Sequence, residues 1–201
     1  MKSKWDERYG KDEYYYGTTP NTFLVDHISA FKAGGRLLCL AEGEGRNAVY
    51  LAQQGFRVTA VDASQAGLDK LRKLAKDSDV QIEIICRDLN DFEIKKGAWD
   101  GIISIWCHLP SELRTKVHQS SRDGLIENGI FLLEAYTPDQ IKFKTGGPQN
   151  PDLMPTLAKI EKDFEGFEVD FKSEMTRNIS EGIGHQGQSA VVQFVGRKTS
   201  K

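Results

Sequence analysis

Long apolar stretches are absent from this chain of 201 residues. No window reaches the roughly 20 apolar residues that a membrane-spanning helix needs, and the amino-terminal stretch lacks the apolar centre of a secretory signal peptide. Cysteine is also scarce, since Cys39, Cys86 and Cys107 form no C-x-x-C pair and no ligand spacing with the four histidines. We therefore predict a cytoplasmic protein without a membrane contact, a disulfide scaffold or a metal site.

An excess of either charge is absent too. The chain has 27 Lys and Arg against 29 Asp and Glu, which gives a formal net charge of -2. Such a balance produces no long-range field that would hold the protein on nucleic acid or on an anionic membrane, so we predict neither partner. Hydrophobic residues make up 39% and charged residues 28%, which excludes a disordered or collagen-like chain. The oligomeric state is left open.

The chain is long enough to form one hydrophobic core, and strand-like and helix-like segments alternate along it. A polar, aromatic segment over residues 1–19 precedes a single predicted domain over residues 20–201. Within that domain, apolar runs alternate with amphipathic helices, one of which Ser64 can cap. The predicted buried strands are 37–41, 56–61, 82–86, 99–106 and 130–134. This alternation predicts an α/β fold, a Rossmann-like three-layer sandwich with helices on both faces of a parallel sheet.

The last third of the chain departs from this alternation. A predicted helix carrying apolar residues over 153–164 is followed by two strand-like runs, 167–171 and 190–195, with no helical pattern over the connection 173–188. A parallel return needs a longer crossover, usually a helix, so these two strands are predicted to be antiparallel. We therefore predict seven strands, mostly parallel, with one antiparallel strand near the carboxyl terminus.

A glycine turn follows the first predicted strand. It reads Glu42-Gly43-Glu44-Gly45-Arg46-Asn47-Ala48. Its glycines allow a tight bend and the close approach of a ligand, and the helix that follows favours negative groups at its start. Asp62 comes 19 residues after Gly43, where an acid can accept both hydroxyls of a ribose. Asp88 and Leu89 follow the third strand at the same edge of the sheet.

The turn alone is weak evidence, because Gly-x-Gly-x-x-Ala also fits a dinucleotide fold or a plain strand–helix connection. Glu42 and Glu44 would repel a pyrophosphate but tolerate a cationic sulfonium. The chain is also short for the second domain that most dehydrogenases have, and the reversed last strand is not a feature of the dinucleotide fold. These three points favour a sulfonium nucleoside as the ligand.

Several runs together resemble class I S-adenosylmethionine-dependent methyltransferases. They are the runs over 40–52 and 58–62 and the pair Asp88-Leu89. The Gly-x-Gly-Arg-Asn-Ala form is similar to the tellurite-resistance (TehB-like) and thiopurine-methyltransferase-like branch. Trp5-x-x-Arg8-Tyr9 and Tyr16-Gly17-x-x-Pro20 look like the amino-terminal lid of that branch. The resemblance covers most of residues 5–135, and the carboxyl-terminal third matches only in architecture and in a loose Glu181-Gly-x-x-His185 segment.

The resemblance implies S-adenosyl-L-methionine as the cofactor and gives roles to individual residues. Asp62 would hold the ribose hydroxyls, and Asp88 would accept from the adenine amino group beside Leu89. The bend and lid residues with an implied cofactor contact are Glu42, Gly43, Gly45, Asn47, Trp5 and Tyr16. Cys39 departs from the family, which usually has an acid there, and Glu42 is the candidate replacement.

Three residues are candidates for the chemistry. His108 follows the fourth strand and should face the transferred methyl group, although a packing or capping histidine is an equal interpretation. His185 lies in a glycine-rich stretch that can reach over the site, and Arg177 can receive an anion. For both of these residues, a solvated loop position is the competing interpretation.

The predicted function is methyl transfer to a small molecule, with a thiol or a tellurium or selenium oxyanion as the candidate acceptors. In-line displacement depends mainly on proximity and orientation, and a base is needed only when the nucleophile arrives protonated. The alternatives are a nucleotide-binding oxidoreductase and a non-catalytic S-adenosylmethionine-binding regulatory domain. A nucleic-acid methyltransferase is disfavoured because no basic stripe is present.

Overall fold

The computed structural model describes residues 4–199, and within that range seven strands form one sheet. The strands are β1 (Arg36–Leu40), β2 (Arg57–Asp62), β3 (Glu83–Cys86), β4 (Trp99–Ile105), β5 (Leu125–Tyr136), β6 (Phe167–Glu181) and β7 (His185–Lys198). Their order is β3-β2-β1-β4-β5-β7-β6. β7 is antiparallel to both neighbours, and the other pairs are parallel. The predicted sheet with one reversed strand is confirmed.

Helices cover both faces of the sheet. They are α1 (Lys4–Tyr9), α2 (Thr22–Asp26), α3 (Arg46–Gln53), α4 (Gln65–Asp77), α5 (Ser111–Gly124) and α6 (Leu157–Asp163). Short 3-10 helices span Ile28–Ala30, Pro138–Lys142 and Pro151–Leu153. One apolar cluster packs α2, α3 and α4 against the sheet, and a second packs α5 and α6 against the other face. This confirms the predicted three-layer α/β architecture.

β1 shows how the sequence produces these two layers. Leu37 and Cys39 belong to the first cluster, whereas Leu38 and Leu40 belong to the second. Successive side chains of a strand point to opposite faces, so a continuous apolar run is what a strand covered on both sides requires. The carboxyl ends of β1, β2, β3 and β4 therefore meet at one edge of the sheet, where the loops can build a site.

Two elements differ from the prediction. The helix after Pro20 is short, because α2 ends at Asp26 and continues only as a 3-10 turn. The connection over 173–188 is mostly strand, since β6 and β7 extend to a hairpin tip at 182–184. β6 is an edge strand with many exposed residues on both faces, so it lacks the apolar signal of a buried strand. The predicted cap at Ser64 is confirmed, because its side chain accepts a hydrogen bond from the Gly67 amide.

The predicted lid segment 1–19 and the predicted domain 20–201 extend slightly beyond the described range. Residues 1–3 of the first and residues 200–201 of the second lie outside it. Within residues 4–199, no helix combines the length and apolarity that a bilayer crossing requires.

Candidate active site

Asp62 joins the glycine bend to the start of α4. Its Oδ2 accepts a hydrogen bond from the Gly43 amide at 2.8 Å, and its Oδ1 accepts one from the Ser64 amide at 2.8 Å. Burial raises the pKa of this carboxyl group. Each carboxylate oxygen has a second acceptor position, so the group can still receive ribose hydroxyls. The structure thus places Asp62 directly against the bend after β1.

The two bend glycines have separate requirements. Gly43 and Gly45 have φ values of +63° and +94°, a region that glycine occupies readily. A β-carbon at Gly45 would overlap the side chain of Leu71, and one at Gly43 would lie 2.8 Å from the Tyr9 hydroxyl. The open face of Gly43 is therefore covered by the phenol of Tyr9.

Glu42 caps the helix that follows the bend. Its Oε1 accepts hydrogen bonds from the amides of Asn47 at 3.1 Å and Ala48 at 2.8 Å. Burial outweighs these hydrogen bonds and raises the pKa of Glu42 to about 7. Burial and the neighbouring Glu42 also raise the pKa of the Cys39 thiol. Asn47 uses its Oδ1 to accept from the Asn21 amide at 2.9 Å, so it fastens the segment before α2.

The predicted lid lies closed on the bend. Tyr9 packs its ring against Gly43 and Gly67, and Trp5 stacks on Tyr9 with a ring separation of 5.7 Å. Asp6 accepts a hydrogen bond from the Ser64 hydroxyl at 2.6 Å. Trp5 therefore lies outside Tyr9, and Tyr9 is the lid residue in direct contact with the bend. The sequence analysis named Tyr9 only as the last residue of the motif Trp5-x-x-Arg8-Tyr9 and predicted no contact for it.

Tyr16 connects the lid to the opposite side of the site. Its amide donates to Glu44 Oε2 at 3.3 Å, its hydroxyl accepts from Arg8 at 2.8 Å, and its ring lies 4.5 Å from the His185 ring. Glu44 is buried and pairs with Lys70 at 2.8 Å. Glu44 thus connects the bend to the lid through a hydrogen bond and to α4 through an ion pair.

Asp88 and Leu89 lie where the third strand ends. The amide of Arg87 donates to the Asp62 carbonyl oxygen at 2.9 Å, which places this segment beside the end of β2. Asp88 is exposed and accepts from the Asn90 amide at 2.8 Å, whereas Leu89 is buried in the second apolar cluster. The structure therefore brings Asp62, Asp88 and the bend to one edge.

Trp106 follows β4 in a strained conformation. Its φ of +56° lies in the left-handed region, which is unfavourable for a bulky residue and costs on the order of 1–3 kcal/mol. Its indole nitrogen donates to Glu181 Oε2 at 2.7 Å, and its ring lies 4.6 Å from Tyr136 and 4.8 Å from His185. We call Tyr16, Trp106, His108, Tyr136 and His185 the aromatic cluster.

His108 is held by the backbone of β5. Its Nε2 lies 3.2 Å from the Tyr136 amide, from which it accepts a hydrogen bond, and its ring stacks on the Tyr136 ring at 5.4 Å. Burial and the charge of His185 lower the pKa of His108 to about 3. The lone pair of this neutral imidazole is thus already used, which favours the packing interpretation over a catalytic one.

Arg177 is paired with a fully buried carboxylate. Its Nε and Nη2 donate to the two oxygens of Glu134 at 2.9 and 2.8 Å, and its Nη1 donates to the Thr22 hydroxyl at 3.0 Å. This bidentate pair compensates the charge of the guanidinium. We therefore do not retain Arg177 as an anion receiver.

Glu181 is the hub of a second buried network. It accepts hydrogen bonds from Arg46 at 2.6 Å, from the Trp106 indole at 2.7 Å and from Asn21 at 2.8 Å. Burial opposes ionisation, but His185 and Arg46 together lower the pKa of Glu181 to about 2. The sequence analysis did not predict this role, because it named Glu181 only as the first residue of the weakly matching segment Glu181-Gly-x-x-His185.

His185 lies inside the aromatic cluster and is 4% exposed. Its Nδ1 is 3.5 Å from Glu181 Oε2 and makes no hydrogen bond within the described residues. Burial lowers its pKa, against the opposing effect of Glu181. The structure thus brings His185, but not Arg177, to the aromatic cluster as an uncommitted polar group.

Three glycine-containing segments cover the aromatic cluster, and we call them the roof. They are residues 14–17, 145–147 and 182–184. The Ile183 amide donates to the Tyr15 carbonyl oxygen at 2.8 Å, and the Gln186 amide donates to the Thr145 carbonyl oxygen at 3.3 Å. A β-carbon at Gly182 would overlap the backbone of Tyr15 and Tyr16. The roof is therefore closely packed, and its fit depends on glycine.

Comparison with known proteins identifies the central part of the chain. Residues 37–129 match the methyltransferase domain family. A tRNA (uracil(54)-C(5))-methyltransferase of Pyrococcus horikoshii is 28% identical over 102 residues, which cover 46% of this chain and 25% of that protein. The chain thus spans about a quarter of the length of this curated relative.

Solved structures show the same fold. The TM-score is 0.74 for TehB from Haemophilus influenzae, at 18% identity over 97% of this chain and 66% of that one. It is 0.68 for an S-adenosylmethionine-dependent methyltransferase from Clostridium acetobutylicum, at 13% identity over 98% of this chain and 96% of that one. Residues 37–129 thus match a methyltransferase domain family, and the chain has the fold of S-adenosylmethionine-dependent methyltransferases.

Proposed function

We propose that this protein is an S-adenosylmethionine-dependent methyltransferase that acts on a small molecule. The observation that carries the proposal is the contact between Asp62 and the Gly43 amide, at the edge where β1 and β2 end. This contact supports the proposal because it sets a carboxylate that can accept ribose hydroxyls beside a bend of bare backbone, within the segment that matches the methyltransferase domain family. Open α/β sheets bind their ligands at this edge.

The residues at this edge fit the cofactor chemically. Asp62 keeps acceptor positions for the ribose, exposed Asp88 can accept from the adenine amino group, and Leu89 offers an apolar surface beside it. The Glu42 carboxyl group suits the cationic end of the molecule and not a pyrophosphate, whereas the charge of Glu44 is already paired with Lys70. The remaining proposed contacts come from Gly43, Gly45 and Asn47 in the bend and from Trp5 and Tyr16 in the lid.

The bound cofactor supplies an electrophilic methyl group on a sulfonium. The chain has to align a nucleophile with that group and exclude water, and the roof and the lid are suited to both tasks. Tyr9 covers Gly43, so we propose that α1 moves to admit the cofactor and then closes. A site covered by the roof favours a small acceptor over a macromolecule.

Titration with S-adenosylhomocysteine tests the proposal. We expect saturable binding to the wild type by calorimetry, and a loss of about 1–3 kcal/mol in Asp62→Asn, or about 5- to 150-fold in Kd, from the loss of charge-assisted hydrogen bonds. Asp69→Asn, on the exposed face of α4, is the matched control and should bind like the wild type.

Two results would contradict these assignments. Binding of NADH without binding of S-adenosylhomocysteine would overturn the methyltransferase proposal. An unchanged Kd in a folded Asp62→Asn variant, as judged by thermal unfolding, would overturn the ribose assignment alone.

A further inference from the structure

The hairpin tip places a carboxylate and an imidazole opposite each other. Glu181 and His185 are register partners at the ends of β6 and β7, and Nδ1 lies 3.5 Å from Oε2. A lone pair on Nδ1 would face an anionic oxygen, which is unfavourable. Nδ1 therefore carries the ring proton, and Nε2 carries the lone pair.

Glu181 is held too firmly to turn away from His185. Its three donors, Arg46, Trp106 and Asn21, come from α3, from the end of β4 and from the segment before α2. A fixed carboxylate that orients an imidazole and stabilises its protonated form is the arrangement that activates a histidine as a base. Catalytic hydrogen bonds are often long before ligands bind, so 3.5 Å is compatible with this role.

The Nε2 edge of the His185 ring, on the side away from Glu181, lies near a second buried polar group without a hydrogen bond. A β-carbon at Gly146 would lie 3.4 Å from His185 Cδ2, the atom bonded to Nε2, and 3.2 Å from the Tyr136 hydroxyl, but only 2.6 Å from the Gly184 carbonyl oxygen, so the roof fills this place. Tyr136 is fully buried, and its hydroxyl makes no hydrogen bond of 3.5 Å or less within the described residues, although the nearby Ser189 side chain partly offsets the rise of its pKa on burial. A buried polar group without a partner requires an explanation, and a ligand group that binds beside Gly146 would provide it.

Two of the three arginine charges near this place are compensated by carboxylates. The two arginines that reach into the networks below it pair with carboxylates, Arg46 with Glu181 and Arg177 with Glu134. Arg8 lies on the lid side, stacked over Trp5 and Tyr15. An oxyanion would require an uncompensated cation at the reacting position, whereas the aromatic walls favour a flat, uncharged molecule.

Building on the proposed methyl transfer, we propose that Glu181 and His185 form a general-base pair. The acceptor is a small, uncharged, flat molecule whose nucleophilic atom carries an acidic proton, as in a thiol or a phenol. It binds between His185 Nε2 and the Tyr136 hydroxyl after the roof over Gly146 has moved away. His185 is the catalytic residue, and Glu181 is a positioning residue.

The step balances in atoms and charge. Nε2 of His185 takes the proton of the acceptor while the acceptor atom bonds to the methyl carbon, and the electron pair of the broken carbon–sulfur bond returns to sulfur, which becomes neutral. Glu181 stabilises the imidazolium until its proton passes to solvent. The groups that face His185 are Glu181, Tyr16, His108, Tyr136 and Arg46, with Arg8 on the lid.

Nitrogen-15 NMR of the histidine side chains tests the pair without any acceptor. With S-adenosylhomocysteine added at neutral pH, we expect His185, assigned by its loss in His185→Gln, to carry its proton on Nδ1. Glu181→Gln should weaken this preference. A proton on Nε2 in the wild type would overturn the proposal. The tautomer is readable whether or not the ligand binds, so failure of cofactor binding stays distinguishable.

Turnover with two thiols tests the acceptor class. Benzyl mercaptan is protonated at neutral pH and 4-nitrothiophenol is already a thiolate. We expect His185→Gln to lower kcat for benzyl mercaptan by about 10²- to 10⁴-fold and to affect 4-nitrothiophenol far less. Tyr136→Phe should mainly raise KM. His27→Gln, remote in the turn after α2, is the control.

The opposite pattern would overturn the proposal. Equal losses for both thiols in His185→Gln would remove its role as a base. Turnover of sodium tellurite with neither thiol accepted, measured as S-adenosylhomocysteine formed, would overturn the uncharged acceptor.

Discussion

The proposed cofactor side and the proposed acceptor side of the site are built in different ways. On the cofactor side, Asp62 and Glu42 bind backbone amides of the bend and the helix starts, all within residues 42–64. On the acceptor side, side chains of α3, β5 and β6 meet through two buried ion pairs, Arg46–Glu181 and Arg177–Glu134. The comparison teaches that local backbone chemistry defines the first side, whereas the second exists only when the whole sheet is assembled.

The largest effect should come from breaking a buried pair on the acceptor side. Arg177→Met leaves Glu134, which is 0% exposed, without its partner. We expect a loss of about 3–5 kcal/mol in the free energy of unfolding, measured with urea. Arg197→Met removes a more exposed pair with Asp170 on the same hairpin and should cost about 0–1 kcal/mol. Equal losses of unfolding free energy in the two variants would mean that the buried ion pair contributes no more to stability than the exposed one.

A smaller effect is expected on the cofactor side. Gly45 and Gly97 both have positive φ, but a β-carbon at Gly45 would overlap Leu71, whereas nothing lies within 4 Å at Gly97. Gly45→Ala should therefore destabilise the protein by about 1–3 kcal/mol more than Gly97→Ala, and it should also weaken S-adenosylhomocysteine binding. Matching urea midpoints for the two variants would show that the bend does not need its close contact with α4.

The smallest effect is expected for His108, and measuring it distinguishes the role of His108 from that of His185. Its folded pKa of about 3 lies below the unfolded value near 6.5. The unfolded chain therefore binds the proton first, and stability is lost as the pH falls through this window. Between about pH 7 and pH 5 the loss should reach up to about 2 kcal/mol.

His108→Gln should remove that part of the acid destabilisation and change kcat by less than about tenfold, well below a lost general base. Urea unfolding at both pH values and steady-state turnover measure the two quantities. A loss of kcat as large as that expected for His185→Gln would make His108 a catalytic residue.

The sequence was sufficient for the parallel strands of the first half and for the placement of the bend and Asp62 at one edge of the sheet. Apolar runs mark buried strands, and parallel strands bring their ends to one edge. The sequence was not sufficient for Arg177 or Glu181, because their partners Glu134 and Arg46 lie 43 and 135 residues away. β6 escaped prediction as a long strand for a related reason: an edge strand with exposed faces carries little apolar periodicity.

Hydrogen bonds join the amino-terminal segment to the tip of the β6–β7 hairpin. The carbonyl oxygen of Tyr15 accepts from the amides of Ile183 at 2.8 Å and Gly184 at 3.3 Å. Swinging the amino-terminal segment outward breaks both bonds and unfastens the tip that shields His185. Under the proposed function, release of S-adenosylhomocysteine and release of the methylated product would therefore depend on the same movement.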